Sequence, residues 1–245
     1  MELEHGHSTA EITARLSPGT QTRYLRDMIY GGIDGAVTTF AIVAGVQGAG
    51  LSTYVIVALG VANILADGFS MAAGNYSGTK ADLDDRRRLQ AVEERHIEQA
   101  PDGEKEELRQ ILQQRGLSGQ VLADATAEIA SNRDKWIEIM LTDEYGLSLE
   151  QPKPLRAALA TFVAFLLAGS IPLLPFLLGM PNAFQIAIIA TGLTFFAIGA
   201  AKSFWSLSPW WQSGFETFSI GALAASIASQ AAGQIGAPLS LAKAS

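Results

Sequence analysis

The chain has 245 residues, of which 49% are apolar and 17% charged, and its formal net charge is −7. The absence of cysteine excludes disulfides and thiolate metal sites, so any metal ligand must be a carboxylate, imidazole, thioether or carbonyl group. The acidic balance gives no support for nucleic-acid binding, and residues 1–27 lack the apolar core of a signal peptide.

The charges are segregated along the chain. Residues 157–201 contain none, whereas residues 80–156 contain 12 Lys and Arg and 17 Asp and Glu. This distribution predicts apolar blocks that suit a bilayer and one polar insert. The predicted segments are a cytosolic N-terminal arm at 1–27, transmembrane helices 1 and 2 at 28–79, a helical cytosolic domain at 80–156, transmembrane helices 3 to 5 at 157–237, and a C-terminal tail at 238–245.

The first two apolar blocks, 28–48 and 53–79, each predict one membrane-spanning helix. Gly31 and Gly35 give the first helix a smooth face for close packing. The second carries two stripes at four-residue spacing, and a carboxylate in the polar one is expected to line a pathway because it is costly in hydrocarbon. The small stripe is Ala58, Ala62, Ala66, Ser70, Gly74 and Gly78, and the polar stripe is Asn63, Asp67, Met71 and Asn75.

The polar insert predicts a small helical subdomain. The second helix continues through 82–99, a Pro-Asp-Gly turn at 101–103 reverses the chain, and helices follow at 104–115, 118–130 with Ser118 as N-cap, and 134–145. Apolar residues at spacings of three and four suffice for a small core. They are Leu108, Ile111, Leu112, Trp136, Ile137, Met140 and Leu141.

Three further apolar blocks, 157–178, 183–201 and 213–235, bring the predicted spans to five. Between the last two, Trp205, Trp210 and Trp211 are typical of an aromatic belt at a membrane interface. The short turns at 48–52 and 179–182 contain no Lys or Arg, whereas the insert is rich in both. The positive-inside rule therefore places the N-terminus and residues 80–156 in the cytosol.

The insert also carries candidate metal ligands. Glu93 and His96 share one helix face, and Glu104 and Glu107 share a face of the next helix, so the two pairs can face each other and chelate cations. Glu-x-x-His is also the ligand pair of di-iron bundles, but those need two such pairs and the insert has one, which disfavours an oxidase. The plain alternative is a solvated, charged helix face.

Three acids lie within the apolar blocks: Asp34, Asp67 and Glu216. Acidic residues within a membrane usually have a functional role. The alternatives are that the Asp34 side chain snorkels to the cytosolic mouth of the pathway and that Glu216 caps the fifth helix. Met71 lies one turn beyond Asp67. A thioether beside a carboxylate favours Fe²⁺, Mn²⁺, Co²⁺ or Zn²⁺ over Mg²⁺ and Ca²⁺, and simple packing of the methionine is the alternative.

Five segments of the chain resemble the vacuolar iron transporter family of divalent-metal/proton antiporters. They are RDMIYGGIDGAVTTFAIVAGV at 26–46, ANILADGFSMAAGNY at 62–76, WIEIMLTDEYGL at 136–147, FLLAGSIPLLPFLL at 165–178 and GFETFSIGALAASIA at 214–228. The resemblance implies a homodimer with five spans per subunit and a pathway at the two-fold axis, lined by the first helices. It further implies a cytosolic three-helix metal-binding domain on an extended second helix.

The resemblance also implies which residues bind metal. Asp34 and Met71 match the family's transport site, and the cytosolic ligands match Glu93, Glu104, Glu107, Met140 and Glu144. At His96 the family more often has Glu, and imidazole still binds Fe²⁺ or Zn²⁺ but with altered preference. At Asn75 the family often has Glu, so the missing carboxylate is expected to weaken metal loading or proton coupling.

These observations lead to one hypothesis: an all-α integral membrane protein, not an enzyme and without a permanent cofactor, that moves Fe²⁺ or a related divalent metal out of the cytosol against protons. Asp34 would bind metal and proton in competition, Asp67, Asn75 and Glu216 would serve the pathway or proton coupling, and glycines of the first helix would let two copies approach. The alternatives are a membrane-anchored metal sensor or buffer and a membrane di-iron oxidase. The short chain favours a bacterial inner membrane over a vacuole.

Overall fold

The structure, a computed structural model, describes residues 7–16, 24–148 and 150–242, and all regular structure in these ranges is helical. This confirms the all-α prediction. Two 3₁₀ turns, Ile171–Leu173 and Ser203–Trp205, accompany the α-helices. The helices are α1 Thr9–Leu16, α2 Leu25–Gly48, α3 Thr53–Gln99, α4 Pro101–Gln114, α5 Gly119–Ser131, α6 Arg133–Asp143, α7 Pro154–Ser170, α8 Leu174–Leu177, α9 Ala183–Lys202 and α10 Trp210–Ala242.

The chain forms two compact units. The membrane unit contains α2, the part of α3 through Ser77, and α7 to α10. The polar unit contains Gly78–Lys153 together with α1. Helix α3 is continuous across the boundary between Ser77 and Gly78, as the predicted extension of the second span requires. The roles assigned to the predicted segments stay predictions.

Four helical stretches in the described part of the chain are long and apolar enough to cross a membrane. They are Leu25–Gly48, Thr53–Gln99, Pro154–Leu177 and Ala183–Trp205. The fifth predicted span, 213–235, lies within α10, but most of its side chains beyond Ile227 lie outside the described set. The count of five spans therefore stays a prediction.

Helix α2 is central to the membrane unit and packs against α7, α9 and α10. Its close approach to α7 depends on glycine, because a methyl group at Gly35 would lie 2.5 Å from the carbonyl oxygen of Phe165. Gly31 meets the backbone of Thr161 in the same way. The smooth face of this helix is thus used within one chain. The expectation that glycines of the first helix let two copies approach stays a prediction.

The polar unit has its own hydrophobic core, which Leu108, Leu112, Leu122, Trp136 and Met140 form. The apolar spacing of three and four therefore identified the correct faces of α4 and α6. The predicted turn at 101–103 is wrong, since α4 already begins at Pro101 with Ala100 as its N-cap. Proline suits the first helical position because the amide hydrogen it lacks would have no partner there.

Helix α1 precedes the first apolar block and was not expected from the sequence. The backbone amide of Ser8 donates to Glu11 Oε2 at 3.0 Å, and the amide of Glu11 donates to Ser8 Oγ at 3.4 Å. This reciprocal pair is a capping box, which satisfies amide hydrogens that the first helical turn leaves without partners. A Ser-x-x-Glu signal in a polar arm thus specifies a short helix.

Candidate functional site

A cluster of carboxylates and one histidine occupies the polar unit, where the end of α3 meets the start of α4. Glu93 and Glu104 are almost fully buried, with exposed fractions of 1% and 5%. His96 Nδ1 lies 3.3 Å from Glu104 Oε1 and 3.9 Å from Glu93 Oε1. The structure therefore brings Glu93, His96 and Glu104 together from two successive helices.

Each of the two buried carboxylates has an oxygen without a hydrogen-bond partner among the described residues. These atoms are Glu93 Oε2 and Glu104 Oε2. Burying a carboxylate without compensating donors costs free energy, so such groups usually bind a proton or a cation. The cluster is chemically suited to hold either.

Electrostatics in the cluster favour proton uptake near neutral pH. Burial raises the pKa of Glu104 to about 7, and the negative charges of Glu93 and Glu107 add to the effect, while His96 opposes it. Burial also raises the pKa of Glu144, again with contributions from Glu93 and Glu107. Metal binding to such carboxyls must release protons, so metal and proton compete for the same oxygens.

The other three predicted cytosolic ligands, Met140, Glu107 and Glu144, lie outside this buried group. Met140 is fully buried in the apolar core beside Leu108, whereas Glu107 and Glu144 are exposed. In the ranges that the structure describes, no three His, Asp or Glu side chains already stand in an arrangement that could hold an ion. A complete ligand set would need rotation of the exposed side chains, and the ligand roles stay predictions.

Tyr145 belongs to this cluster and was missed in the sequence. Its hydroxyl donates to Glu93 Oε1 at 2.7 Å and also hydrogen-bonds with Glu144. Burial, followed by the hydrogen bond with Glu93, raises the pKa of the phenol. The available signal was its position directly after Glu144 within the segment 136–147.

A second polar group lies between α2 and α3 in the membrane unit. Asp34 on α2 is half-buried, and so are the four members of the polar stripe on α3. Asn63 Nδ2 donates to Thr38 Oγ1 at 3.4 Å, and Thr38 Oγ1 donates to the carbonyl oxygen of Asp34 at 2.9 Å. The carboxylates of Asp34 and Asp67 are close enough to interact electrostatically. The stripe therefore borders the helix that carries Asp34.

Asn75 connects three helices. Its side-chain amide donates to Asp27 Oδ1 at 2.9 Å and to Thr161 Oγ1 at 2.7 Å, which links α3 to α2 and α7. Asp27 was missed because it immediately precedes the first apolar block. Its spacing of two helical turns from Asp34 places both acids on the same helix face, and that was the available signal.

Glu216 lies inside α10 and not at its N-terminus. It is exposed, and its Oε2 lies 3.2 Å from Lys202 Nζ. Because α10 begins at Trp210, Glu216 lies well inside the helix, which excludes the capping role considered for it. A role in proton coupling stays a prediction.

Comparisons with known proteins agree with one another. A family model described as the VIT family matches residues 25–232. "Vacuolar iron transporter 1" of Arabidopsis thaliana is 34% identical over 215 residues, which cover 85% of both chains. "Vacuolar iron transporter" of Centaurea cyanus is 33% identical over 83% of this chain and 84% of its own. "Vacuolar iron transporter" of Toxoplasma gondii (strain ATCC 50861 / VEG) is 32% identical over 75% of this chain and 65% of its own.

Proposed function

Because this chain belongs to the VIT family, we propose that it is a proton-coupled transporter that carries Fe²⁺, and related divalent ions such as Mn²⁺, out of the cytosol. It is a multi-pass integral membrane protein and not an enzyme. The observation that carries the proposal is the half-buried polar stripe beside Asp34, within helices otherwise apolar enough to cross a membrane. Intramembrane acids of this kind usually mark ion pathways.

The transport step is proposed to centre on Asp34. A single carboxylate that binds either a metal ion or a proton couples the two flows, because each must leave before the other binds. Asp67 adds a second negative charge nearby, which favours binding of a divalent cation. Met71 supplies a thioether on the same stripe, which favours softer ions such as Fe²⁺ over Mg²⁺ or Ca²⁺.

The carboxylate cluster of the polar unit is proposed to collect ions on the cytosolic side. The unpaired oxygens of Glu93 and Glu104 offer buried anionic ligands, and His96 adds an imidazole. Glu107, Met140 and Glu144 are the further ligands that the family resemblance implies. Imidazole in place of a carboxylate is expected to shift preference toward Zn²⁺, Co²⁺ and Fe²⁺ and away from Mn²⁺.

A homodimer is proposed with α3 at its contact. The small stripe on this helix, from Ala58 to Gly78, is exposed along its length in the single chain. Methyl groups added at Gly74 and Gly78 would meet no atom of the described residues within 4 Å. Small residues on a membrane helix permit close approach of another helix backbone, so a second copy is the expected partner.

The proposed orientation places the N-terminus and the polar unit in the cytosol. The names of the three relatives refer to a vacuole. They give no support to the bacterial inner membrane that the chain length suggested. We therefore propose transport away from the cytosol, across either a vacuolar membrane or a bacterial inner membrane.

Metal uptake into proteoliposomes under an imposed pH gradient tests the proposed function. The wild-type protein should accumulate Fe²⁺ under anaerobic conditions, Asp34→Ala should abolish this flux, and Glu104→Ala/Glu107→Ala should only slow it. Equal fluxes for wild type and Asp34→Ala would contradict the transport mechanism.

The same preparation separates two rival functions. A membrane-anchored sensor or buffer, which the buried carboxylates would also suit, predicts Fe²⁺ binding by the protein without flux into vesicles. A di-iron oxidase predicts O₂-dependent Fe²⁺ oxidation, which the single Glu-x-x-His pair disfavours.

A further inference from the structure

Tyr145 lies in the turn that follows α6, and its hydroxyl contacts Glu93. Helix α6 ends at Asp143, and Gly146 follows with a positive φ of 67°. The amide of Leu147 donates back to the carbonyl oxygen of Leu141 at 3.0 Å, which closes a loop of seven residues that contains Tyr145 and Gly146. The backbone around Tyr145 is therefore fixed by the end of the helix.

A second contact ties this turn to α3. Arg86 Nη1 donates to the carbonyl oxygen of Ser148 at 2.6 Å. Arg86 lies two helical turns before Glu93 on the same helix face, so the turn is attached to the helix that carries the buried carboxylate. The tyrosine hydroxyl then reaches Glu93 Oε1 at 2.7 Å.

The phenol has one hydrogen to donate, and two carboxylates hydrogen-bond with it. The hydrogen points to Glu93 Oε1, while Glu93 Oε2 is buried without a partner among the described residues. A hydrogen bond to one oxygen restricts rotation of the carboxylate and so tends to hold the other oxygen in place. The hydrogen bond therefore keeps one anionic oxygen of Glu93 available to a cation.

We propose that Tyr145 is a positioning residue for the cytosolic metal cluster, which orients Glu93 so that its second oxygen stays available to an incoming divalent ion. This inference rests on the collecting role proposed above for the carboxylates. It assigns Tyr145 no direct bond to the metal. Partners that orient a ligand in this way commonly change metal affinity by 10- to 100-fold when removed.

The test uses the full-length protein in detergent, with Co²⁺ as the probe. An Asp34→Ala/Met71→Ala background removes the proposed intramembrane site, so that visible absorption of bound Co²⁺ reports on the polar unit. Tyr145→Phe is compared with Glu93→Gln and with Tyr54→Phe, a matched loss of one phenol hydroxyl from a side chain that is 80% exposed. The thermal unfolding midpoint of each metal-free variant is measured alongside.

Tyr145→Phe is expected to weaken Co²⁺ binding at least about tenfold and to alter its absorption spectrum, with an unfolding midpoint close to that of the background protein. Tyr54→Phe should change neither affinity nor spectrum. Unchanged affinity and spectrum in Tyr145→Phe, together with weakened binding in Glu93→Gln, would overturn the positioning role alone. If Glu93→Gln also binds Co²⁺ normally, the collecting role falls and the positioning role falls with it.

Discussion

The side chain of Glu104 illustrates how position determines protonation. The sequence placed it on a helix face with Glu107, and spacing alone predicted two equivalent ligands. In the structure Glu104 is buried and Glu107 exposed, and burial raises the pKa of Glu104 to about 7. Helical periodicity predicts which residues share a face, but the depth of that face depends on how α4 packs on its neighbours.

Glu104 should make the stability of the metal-free protein depend on pH. Its folded-state pKa is raised from 4.5 to about 7, so the folded state binds the proton more tightly than the unfolded chain does. Its contribution to the free energy of unfolding is full below about pH 4.5 and is lost as pH rises to about 7. The thermal midpoint should fall across this range, and Glu104→Gln should remove most of the decline.

Metal affinity should show the opposite dependence on pH. A protonated Glu104 cannot bind a cation, so Co²⁺ affinity measured by calorimetry should increase as pH rises through about 7. Glu106 provides a control, because its hydrogen bond with Arg109 lowers the pKa of that carboxyl to about 2. Glu106→Gln should leave the pH dependence unchanged, and an equally steep dependence in Glu104→Gln would contradict the assignment.

Asn75 provides a second prediction at the residue scale. Asn75→Asp would replace a donor with a carboxylate beside Asp27, exchanging a hydrogen bond for like-charge repulsion. The thermal midpoint at neutral pH should drop, and acidification should restore part of it. Thr161→Val removes the acceptor of one Asn75 hydrogen bond and leaves the bond with Asp27, so it should produce a smaller loss that does not respond to pH. Equal losses in both variants at every pH would contradict this explanation.

At the scale of elements, hydropathy located the apolar blocks well but not the contacts between them. Blocks 28–48 and 53–79 correspond to α2 and the first part of α3, because length and apolar content suffice to predict a span. Gly31 and Gly35 predicted a smooth face for close packing without naming its partner, and in the structure they face α7 of the same chain. A smooth helix face indicates close packing without specifying the partner, which only the three-dimensional arrangement shows.

Gly35→Ala should therefore destabilise the membrane unit. The added methyl group would lie 2.5 Å from Phe165 O, a backbone atom that can move only if α2 and α7 separate. Overpacking of this kind typically costs about 1–3 kcal/mol. Gly48→Ala is the matched control on the same helix, since its methyl group would meet no atom of the described part of the chain within 4 Å. Thermal unfolding in detergent measures both, and equal midpoints would refute the packing argument.

At the scale of the whole molecule, segregation of charge predicted a polar insert between apolar blocks, and the chain forms two units with boundaries near those positions. The cluster of Glu93, His96 and Glu104 was predictable because both pairs follow helical spacing. Tyr145 and Asp27 were missed, since a hydroxyl has no ligand pattern of its own and Asp27 lay just outside the first block. Sites assembled from separate elements depend on packing that spacing does not encode.

The proposed dimer makes a prediction at the same scale. Ala66→Trp adds a large side chain to the exposed small stripe of α3 and should shift the purified protein from dimer to monomer. Val163→Trp is the control, because Val163 is exposed on α7 and outside the stripe. Light scattering in detergent measures the mass, and a dimer of undiminished stability in Ala66→Trp would contradict an α3 contact.

Exchange of metal for protons is the central claim, and the pH inside vesicles tests it most directly. Sealed proteoliposomes that contain a pH-sensitive dye, with equal pH on both sides, would receive external Fe²⁺ under anaerobic conditions. The lumen should become more alkaline as metal enters, and Asp34→Ala should show neither metal uptake nor a pH change. Metal uptake by the wild type without a change in lumenal pH beyond that of protein-free vesicles would contradict proton coupling.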